Sequence, residues 1–367
     1  MTASTVETGV QAASQDMAPA VVRFPALGDA VLLTPLLEAL YFRYGQKVHL
    51  VASGPWTPEL LGRHPAVEQL HMVRSRRAPY WMTPSQWRAV HWLRRHRGPV
   101  YLCDPDDHAM RLVARAVSPD RLIKAWDHWP GNHVHWADWW LQVAQLDAPA
   151  LKGPYRDLSG LRPQPTIPLH ADWQADAQRW MKAKGLADVP LVLVQPGHKK
   201  THKRGRLATA QHDKHWPVER WAGVIRGMLA SLPRSRVLVC GTSRESGLVQ
   251  AIVDAAQEAE RVLNGAGELP LGRLVAVAAR AHSMVSVDTG PAHVAAAMDC
   301  PCVVLFGEFG WVRWKPRAPT SQVLALGPQS PTPGRRVMDL QMDDVLEAWH
   351  ALDARNIPPP VEINEAQ

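Results

Sequence analysis

Asp288-Thr289-Gly290-Pro291 closes an apolar, β-favouring run (Met284–Val287) and opens an alanine-rich stretch, Ala292–Met298. A strand that turns through Gly into a helix presents unpaired backbone N–H groups and the positive end of a helix dipole. That arrangement suits a phosphate. Pro291 fits the first helical turn, where a missing N–H costs nothing. The same residues also describe an ordinary strand-to-helix turn with a capping Thr.

A second segment offers a carboxylate. Val21–Phe24 reads as a strand, Pro25–Asp29 as a loop bent at Gly28, and Ala30–Tyr44 as an amphipathic helix. Asp29 therefore sits at a helix start and faces the crevice at the strand's C-terminal end, where open α/β sheets bind ligands. A plain N-cap is the competing reading of Asp29.

Both segments depend on parallel sheets to position them. Strand-like runs alternate with helical patterns throughout, which predicts βαβ units. In the first half strands are expected at 21–24, 47–52, 67–73, 100–103 and 122–125, with helices at 30–44, 84–95, 108–116 and 135–145. A Pro/Gly-rich stretch without periodicity, 147–168, follows. The second half restarts with strands at 191–195, 237–240, 262–263, 284–287 and 302–306. Its helices are expected at 218–232, 245–259, 271–280 and 291–298. The organisation expected is a disordered tail (1–18), an N-terminal domain (19–150), a linker (151–188), a C-terminal domain (189–330) and a closing segment (331–367) with a helix that crosses back onto the first domain.

The 367 residues suffice for two domains, and 46% hydrophobic with 20% charged residues is ordinary globular composition. No apolar run reaches the length of a membrane span, and residues 1–18 do not read as a signal peptide. The four cysteines lie in or beside apolar runs, as small hydrophobes do, and none has zinc spacing. A cytoplasmic compartment is the default. The net charge of +7 points to an anionic partner, yet no nucleic-acid-binding signature appears. Sixteen tryptophans exceed what a core needs, so some are candidates for an exposed aromatic surface touching sugar or lipid.

Leu27-Gly28-Asp29, Asp213-Lys214-His215-Trp216-Pro217 and Asp288-Thr289-Gly290-Pro291-Ala292-His293, in this order, resemble the motifs of family 9 glycosyltransferases, the heptosyltransferases of lipopolysaccharide inner-core synthesis. The resemblance runs from about Val21 to about Pro316. It implies a GT-B fold, two Rossmann-like doubly wound parallel-sheet domains facing across a cleft. It also implies an inverting transfer of heptose from ADP-heptose to a lipid-linked saccharide, without a metal or other cofactor. The partners it implies are that nucleotide-diphosphate sugar, an anionic lipid-linked acceptor and the cytoplasmic face of the inner membrane as a peripheral contact; no nucleic acid is expected.

On that resemblance Asp29 is the candidate catalytic base. Lys214 is the candidate for diphosphate charge compensation, with Thr289 and Gly290 as phosphate contacts. Asp288 and His293 orient the sugar-phosphate end, Glu245 holds ribose hydroxyls, and Thr209 completes the donor side. Arg74, Arg76 and Arg77 are the candidate acceptor contacts, since guanidinium groups suit phosphate and carboxylate. Each has a plain alternative: a solvated loop lysine, a packed helix histidine, a helix-dipole glutamate, a solvated basic loop.

The chain departs from the family pattern in two places. Pro25-Ala26 stands where small hydroxyl residues are common, and the basic stretch 198–213 is longer than expected, reading equally as an anion-binding lid or a disordered insertion. Gly265-Ala266-Gly267 lacks the third glycine of a dinucleotide fingerprint, and Asp104-Pro105-Asp106-Asp107 reads as surface carboxylates at a strand end rather than a metal motif. Two rivals stand beside the heptosyltransferase reading: a transferase using another nucleotide sugar in capsule or polysaccharide assembly, and a non-catalytic sugar-nucleotide-binding protein.

Overall fold

A computed structural model of the chain describes residues 17–75, 77–151, 153, 155–198, 202–203, 206–207 and 212–353. Residues 1–16 of the tail expected at 1–18, Arg76 and Thr209 therefore lie outside the described residues. The first unit comprises β1 (Ala20–Arg23), α1 (Leu27–Tyr44), β2 (Val48–Ala52), α2 (Thr57–Leu60), β3 (Val67–Met72), α3 (Pro84–Arg95), β4 (Val100–Leu102), α4 (Asp107–Ala114), β5 (Leu122–Lys124) and α5 (Trp136–Ala144). Its five-stranded sheet is parallel throughout, in the order β3-β2-β1-β4-β5. Strand periodicity sorts the two faces. Val21 joins the core under α1 and α5, whereas Ala20 and Val22 join the core under α3 and α4.

The next elements are α6 (Ala171–Ala183), β6 (Leu191–Gln195), β7 (His202–Lys203), β8 (Arg206–Leu207), α7 (Val218–Ser231), β9 (Arg236–Gly241), α8 (Ser246–Ala256) and β10 (Val262–Ala266). They are followed by α9 (Leu271–Ala278), β11 (Ser283–Val287), α10 (Gly290–Ala297), β12 (Cys302–Leu305), β13 (Val323–Leu326) and α11 (Met342–His350). Six strands form a second parallel sheet, β10-β9-β6-β11-β12-β13, and β7 with β8 makes a separate antiparallel pair in the basic segment. In each large sheet the strand order reverses once, between β1 and β4 and between β6 and β11. Ligands of doubly wound sheets bind at such switch points, outside the carboxyl ends of the strands.

One apolar core runs through both units, because α1 of the first packs on α10 of the second. The approach is close enough to require glycine on each side. A Cβ on Gly28 would lie 2.7 Å from His293 Cδ2, and one on Gly290 would lie 2.8 Å from Leu27 Cβ. The N-termini of these two helices consequently meet.

Three of the departures from the sequence expectations bear on the second unit. Residues 171–183, assigned to the linker, form α6, which buries Trp173, Ala177 and Met181 and packs on α9. Strand β13 was not expected at all. The closing helix, expected to cross onto the first domain, instead packs on α7 and β12 of the second, with Trp349 Nε1 donating to Ser283 Oγ at 2.8 Å. Gly223 and Gly227 of α7 admit Met342 and Leu346 there; added Cβ atoms would lie 2.2 and 2.7 Å from those side chains.

The histidines make stability acid-sensitive. His49, His71 and His96 surround Trp92, and each has a ring nitrogen buried without a partner. Burial pushes His71 and His96 down to about 4, and does the same to His64 and His135. The unfolded chain, with ordinary imidazoles near 6.5, binds more protons below that pH. The stabilisation is therefore complete above pH 6.5 and is lost as pH falls towards 4. Thermal melts should show the midpoint falling across this window, and His71→Gln with His96→Gln should flatten the profile. An unchanged slope in that variant would show that other groups set the acid limit.

Candidate functional site

Asp29 is the third residue of α1. The N-cap is Ala26, which has no side-chain acceptor, so the Asp29 carboxylate reaches back and accepts from Ala26 N at 3.2 Å through Oδ2. Arg23 Nη2 lies 4.0 Å from the same oxygen. Arg23 is buried: its Nη1 donates to Cys103 O at 3.1 Å, and its guanidinium lies over the rings of Trp136 and Trp140. Asp29 is thus held by its backbone and backed by a cation, while its side chain remains 24% exposed towards the cleft.

Asp288 follows β11 and stands across the cleft. Lys214 Nζ donates to Asp288 Oδ2 at 2.6 Å and to Asp288 O at 2.8 Å. An ammonium has three donor protons, so this anchoring leaves one for a ligand. The lysine's loop is pinned by Trp216, which is buried and donates from Nε1 to Leu340 O at 3.1 Å, and by Val337 N donating to Asp213 O at 2.7 Å. Thr289 is the N-cap of α10, with Gly290 and Pro291 as its first two residues. His293 Nε2 lies 4.0 Å from Asp288 Oδ1, and its Nδ1 is buried without a partner. Burial lowers its pKa, so the imidazole is neutral at pH 7 and adds no charge to the site.

These residues border a cavity of about 380 Å³ lined by Gly28, Asp29, Lys214, Asp288, Thr289 and His293, among others. Asp213, His198, His212, Phe309 and Trp314 complete its wall. An adjoining cavity of about 540 Å³ shares Gly28, His198, Thr289 and Gly290 with it and extends to Glu245, Gly267, Leu269 and Leu274. Glu245 precedes α8 and is buried. Its Oε2 accepts from Thr242 N at 2.8 Å and from Thr242 Oγ1 at 2.9 Å, whereas Oε1 is buried with no partner. A ligand hydroxyl donating to Oε1 would complete that carboxylate.

Further contacts join the two units. Arg317 makes a bidentate pair with Asp138 at 2.8 and 2.6 Å, and His135 Nε2 donates to Lys315 O at 2.8 Å. Arg313 lies over the rings of Trp129, Trp136 and Trp314 and donates to Asn132 Oδ1 at 2.7 Å.

The structure brings together Asp29, Lys214, Asp288, Thr289, Gly290 and His293, and sets Glu245 in the adjoining cavity. Arg74 and Arg77 border neither cavity. They are exposed after β3, two strands from β1. Asp104 differs from its reading as a surface carboxylate. It is 4% exposed, accepts Phe24 N at 2.8 Å and lies 3.8 Å from Arg23, so it holds the end of β1. Sequence reasoning passed over Arg23, whose signal was a lone charge ending an apolar strand. It quoted Asp213 within a motif without giving it a role, and it passed over Phe309 and Trp314. Among the described residues no group of three or more His, Cys, Asp or Glu is arranged to hold a metal ion.

Two cavities in series at the carboxyl ends of both sheets, with the N-termini of α1 and α10 between them, can take an extended anionic ligand whose two ends need different surroundings. Known proteins share this architecture. A family 9 glycosyl transferase of Veillonella parvula superposes with a TM-score of 0.70 at 18% identity, covering 91% of this chain and 96% of that one. The ADP-heptose lipopolysaccharide heptosyltransferase II of Escherichia coli superposes with a TM-score of 0.65 at 20% identity, covering 91% and 98%. The fold is GT-B. Lipopolysaccharide heptosyltransferase 1 of Escherichia coli K12 is 30% identical over 131 residues, which span 34% of this chain and 40% of that protein. The profile of glycosyltransferase family 9 (heptosyltransferase) matches residues 157–341. That match covers half of the sequence and includes Lys214, Glu245 and the Asp288–His293 turn, and the chain belongs to glycosyltransferase family 9.

Proposed function

We propose that the chain transfers heptose from ADP-heptose to a sugar hydroxyl of a lipopolysaccharide inner-core acceptor, inverting the anomeric centre. The observation that carries this reading is Asp29 facing the Lys214–Asp288–Thr289 corner across one cavity. Both similar Escherichia coli proteins are named as lipopolysaccharide heptosyltransferases, and one of them is named for ADP-heptose.

In this reading the nucleoside occupies the larger cavity, with a ribose hydroxyl donating to Glu245 Oε1. The diphosphate lies at the N-terminus of α10 against Thr289, Gly290 and the Lys214 ammonium. The heptose then reaches the smaller cavity. The acceptor oxygen attacks the anomeric carbon as the bond to the diphosphate oxygen breaks, and Asp29 takes the hydroxyl proton. A carboxylate is a weak base towards an alcohol, but the alcohol acidifies as it bonds to an oxocarbenium-like carbon. The departing ADP keeps the bonding electron pair, and Lys214 with the dipole of α10 compensates its growing charge. The reading needs no metal. Asp288 is a positioning residue, since it touches Lys214 and fixes where the ammonium points.

Purified chain incubated with ADP-heptose and deacylated inner-core oligosaccharide should release ADP and add one heptose mass to the acceptor, with chelator present or absent. ADP release without a mass gain, or equal transfer from another nucleotide sugar, would overturn the donor and acceptor assignment. Arg74, Arg76 and Arg77 belong to the proposal as acceptor contacts reached from outside the cavity, and the peripheral inner-membrane location belongs to it as well.

A further inference from the structure

Several large apolar side chains of the first unit are exposed before α3, on it and on α4. Trp81 is 71% exposed, Met82 59%, Trp87 44% and Met110 44%. The short turn Tyr80–Met82 packs on α3, and α3 packs on α4, so these side chains belong to adjoining elements. Exposing an indole and a thioether to water is unfavourable, and a monomer gains nothing by it.

The loop that carries Trp81 and Met82 is tightly held. Gln86, buried, donates through Nε2 to Ser75 O at 2.8 Å and to Ala78 O at 3.2 Å. Thr83 Oγ1 donates to Pro79 O at 2.9 Å, and Trp87 Nε1 donates to Tyr80 O at 2.6 Å. Tyr80 packs inward and lies under the Arg115 guanidinium. The apolar tip is therefore presented by an ordered scaffold, which lowers the entropic cost of engaging a partner.

The surround is basic. Arg88, Arg94 and Arg95 of α3, with Arg111 and Arg115 at α4, are all exposed; Asp107 is the exposed carboxylate among them. Exposed aromatic and Met side chains with arginines on the same and adjoining elements match the interface of an anionic bilayer, where indole rings sit at headgroup depth and guanidinium groups meet lipid phosphates. Helices α3 and α4 both begin at the carboxyl edge of the first sheet, the edge that carries Asp29. No described helix is long and apolar enough to cross a membrane.

We propose that this face docks on an anionic bilayer, with Trp81 and Met82 entering the headgroup region and the α3 and α4 arginines on its phosphates. The proposal deepens the acceptor reading above, because a lipid-linked acceptor reaches the cleft from a bilayer.

The test is co-sedimentation of the full chain with vesicles of phosphatidylcholine and phosphatidylglycerol, against phosphatidylcholine alone. The chain should bind the anionic vesicles and bind the neutral ones weakly. Trp81→Ser with Met82→Ser should lower partitioning by about tenfold or more. Arg88→Glu with Arg95→Glu should lower it by about fivefold per residue, an effect that shrinks with added salt. ADP affinity should not change in either variant. Wild-type partitioning by the Trp81/Met82 variant, or equal binding to both vesicle types, overturns the proposal. So does a wild-type chain that ignores vesicles but self-associates through this face, which would assign it to a protein partner. These vesicles carry no sugar acceptor, so the two readings fail separately. Vesicle binding without heptose transfer sinks the transferase assignment alone, and transfer to a water-soluble acceptor without vesicle binding sinks the docking assignment alone.

Discussion

Asp29→Asn is expected to lower kcat by about 10²–10⁴-fold, the usual contribution of a positioned general base. Donor affinity should stay within a few fold of wild type. The substitution is chosen to leave the fold intact: an Asn side-chain oxygen can still accept from Ala26 N, the bond that closes the first turn of α1. What is lost is the negative charge and the ability to take a proton. Arg23, held at the Cys103 carbonyl and over two indole rings, would remain in place behind the amide. Asp29 belongs to the first unit, whereas the proposed diphosphate corner belongs to the second. The split between kcat and donor affinity follows from that separation. Steady-state kinetics with both substrates, alongside calorimetry with ADP, checks it. Equal loss of rate and ADP affinity would show that Asp29 serves the donor or the fold instead of the chemistry.

Lys214→Ala should weaken ADP binding by about a hundredfold, and Thr289→Val by about tenfold, within the usual range for charge-assisted contacts. The inequality comes from Asp288. In the wild type its carboxylate is neutralised by Lys214 at 2.6 Å. Removing the lysine both deletes a phosphate contact and leaves that carboxylate uncompensated beside a dianionic group. Asp288→Asn separates the two effects. It frees the ammonium from its ion pair and removes the repulsion, so ADP affinity should fall less than in Lys214→Ala. Loss of orientation should instead appear in kcat. Isothermal calorimetry on the three variants is the measurement. Unchanged ADP affinity in both Lys214→Ala and Thr289→Val would remove the diphosphate from the α10 N-terminus.

Periodicity revealed most of the framework because buried parallel strands must be apolar on both faces. Leu191–Gln195 and Met284–Val287 carry that signal in a few residues, and the helices between them show an apolar stripe. Helix α6 also carried it: Trp173, Ala177, Trp180 and Met181 fall on one helical face, but the proline-rich stretch before them masked the start. Strand β13 was missed for a different reason. Its four residues are too short to stand out, and pairing with β12 rather than propensity makes them a strand. The closing helix was assigned to the wrong unit because an amphipathic stripe states that a face is buried without stating against what. Here the glycines of α7 decide, by leaving room for Met342 and Leu346.

The sequence by itself determined the elements that present the chemistry: a carboxylate at the start of the first helix, a lysine before a Trp-Pro anchor, and a Thr-Gly turn opening α10. Those are local facts, set by turn residues and helix starts within a few positions. Only the tertiary structure decided that Asp29 and Lys214, far apart in the chain, face one cavity. It also turned Asp104 from a surface carboxylate into a buried support for β1, and left Arg74 and Arg77 outside the cleft. The physical reason is that such relations depend on the close contact of α1 with α10. That contact exists because Gly28 and Gly290 each lack the one carbon atom that would keep the helices apart.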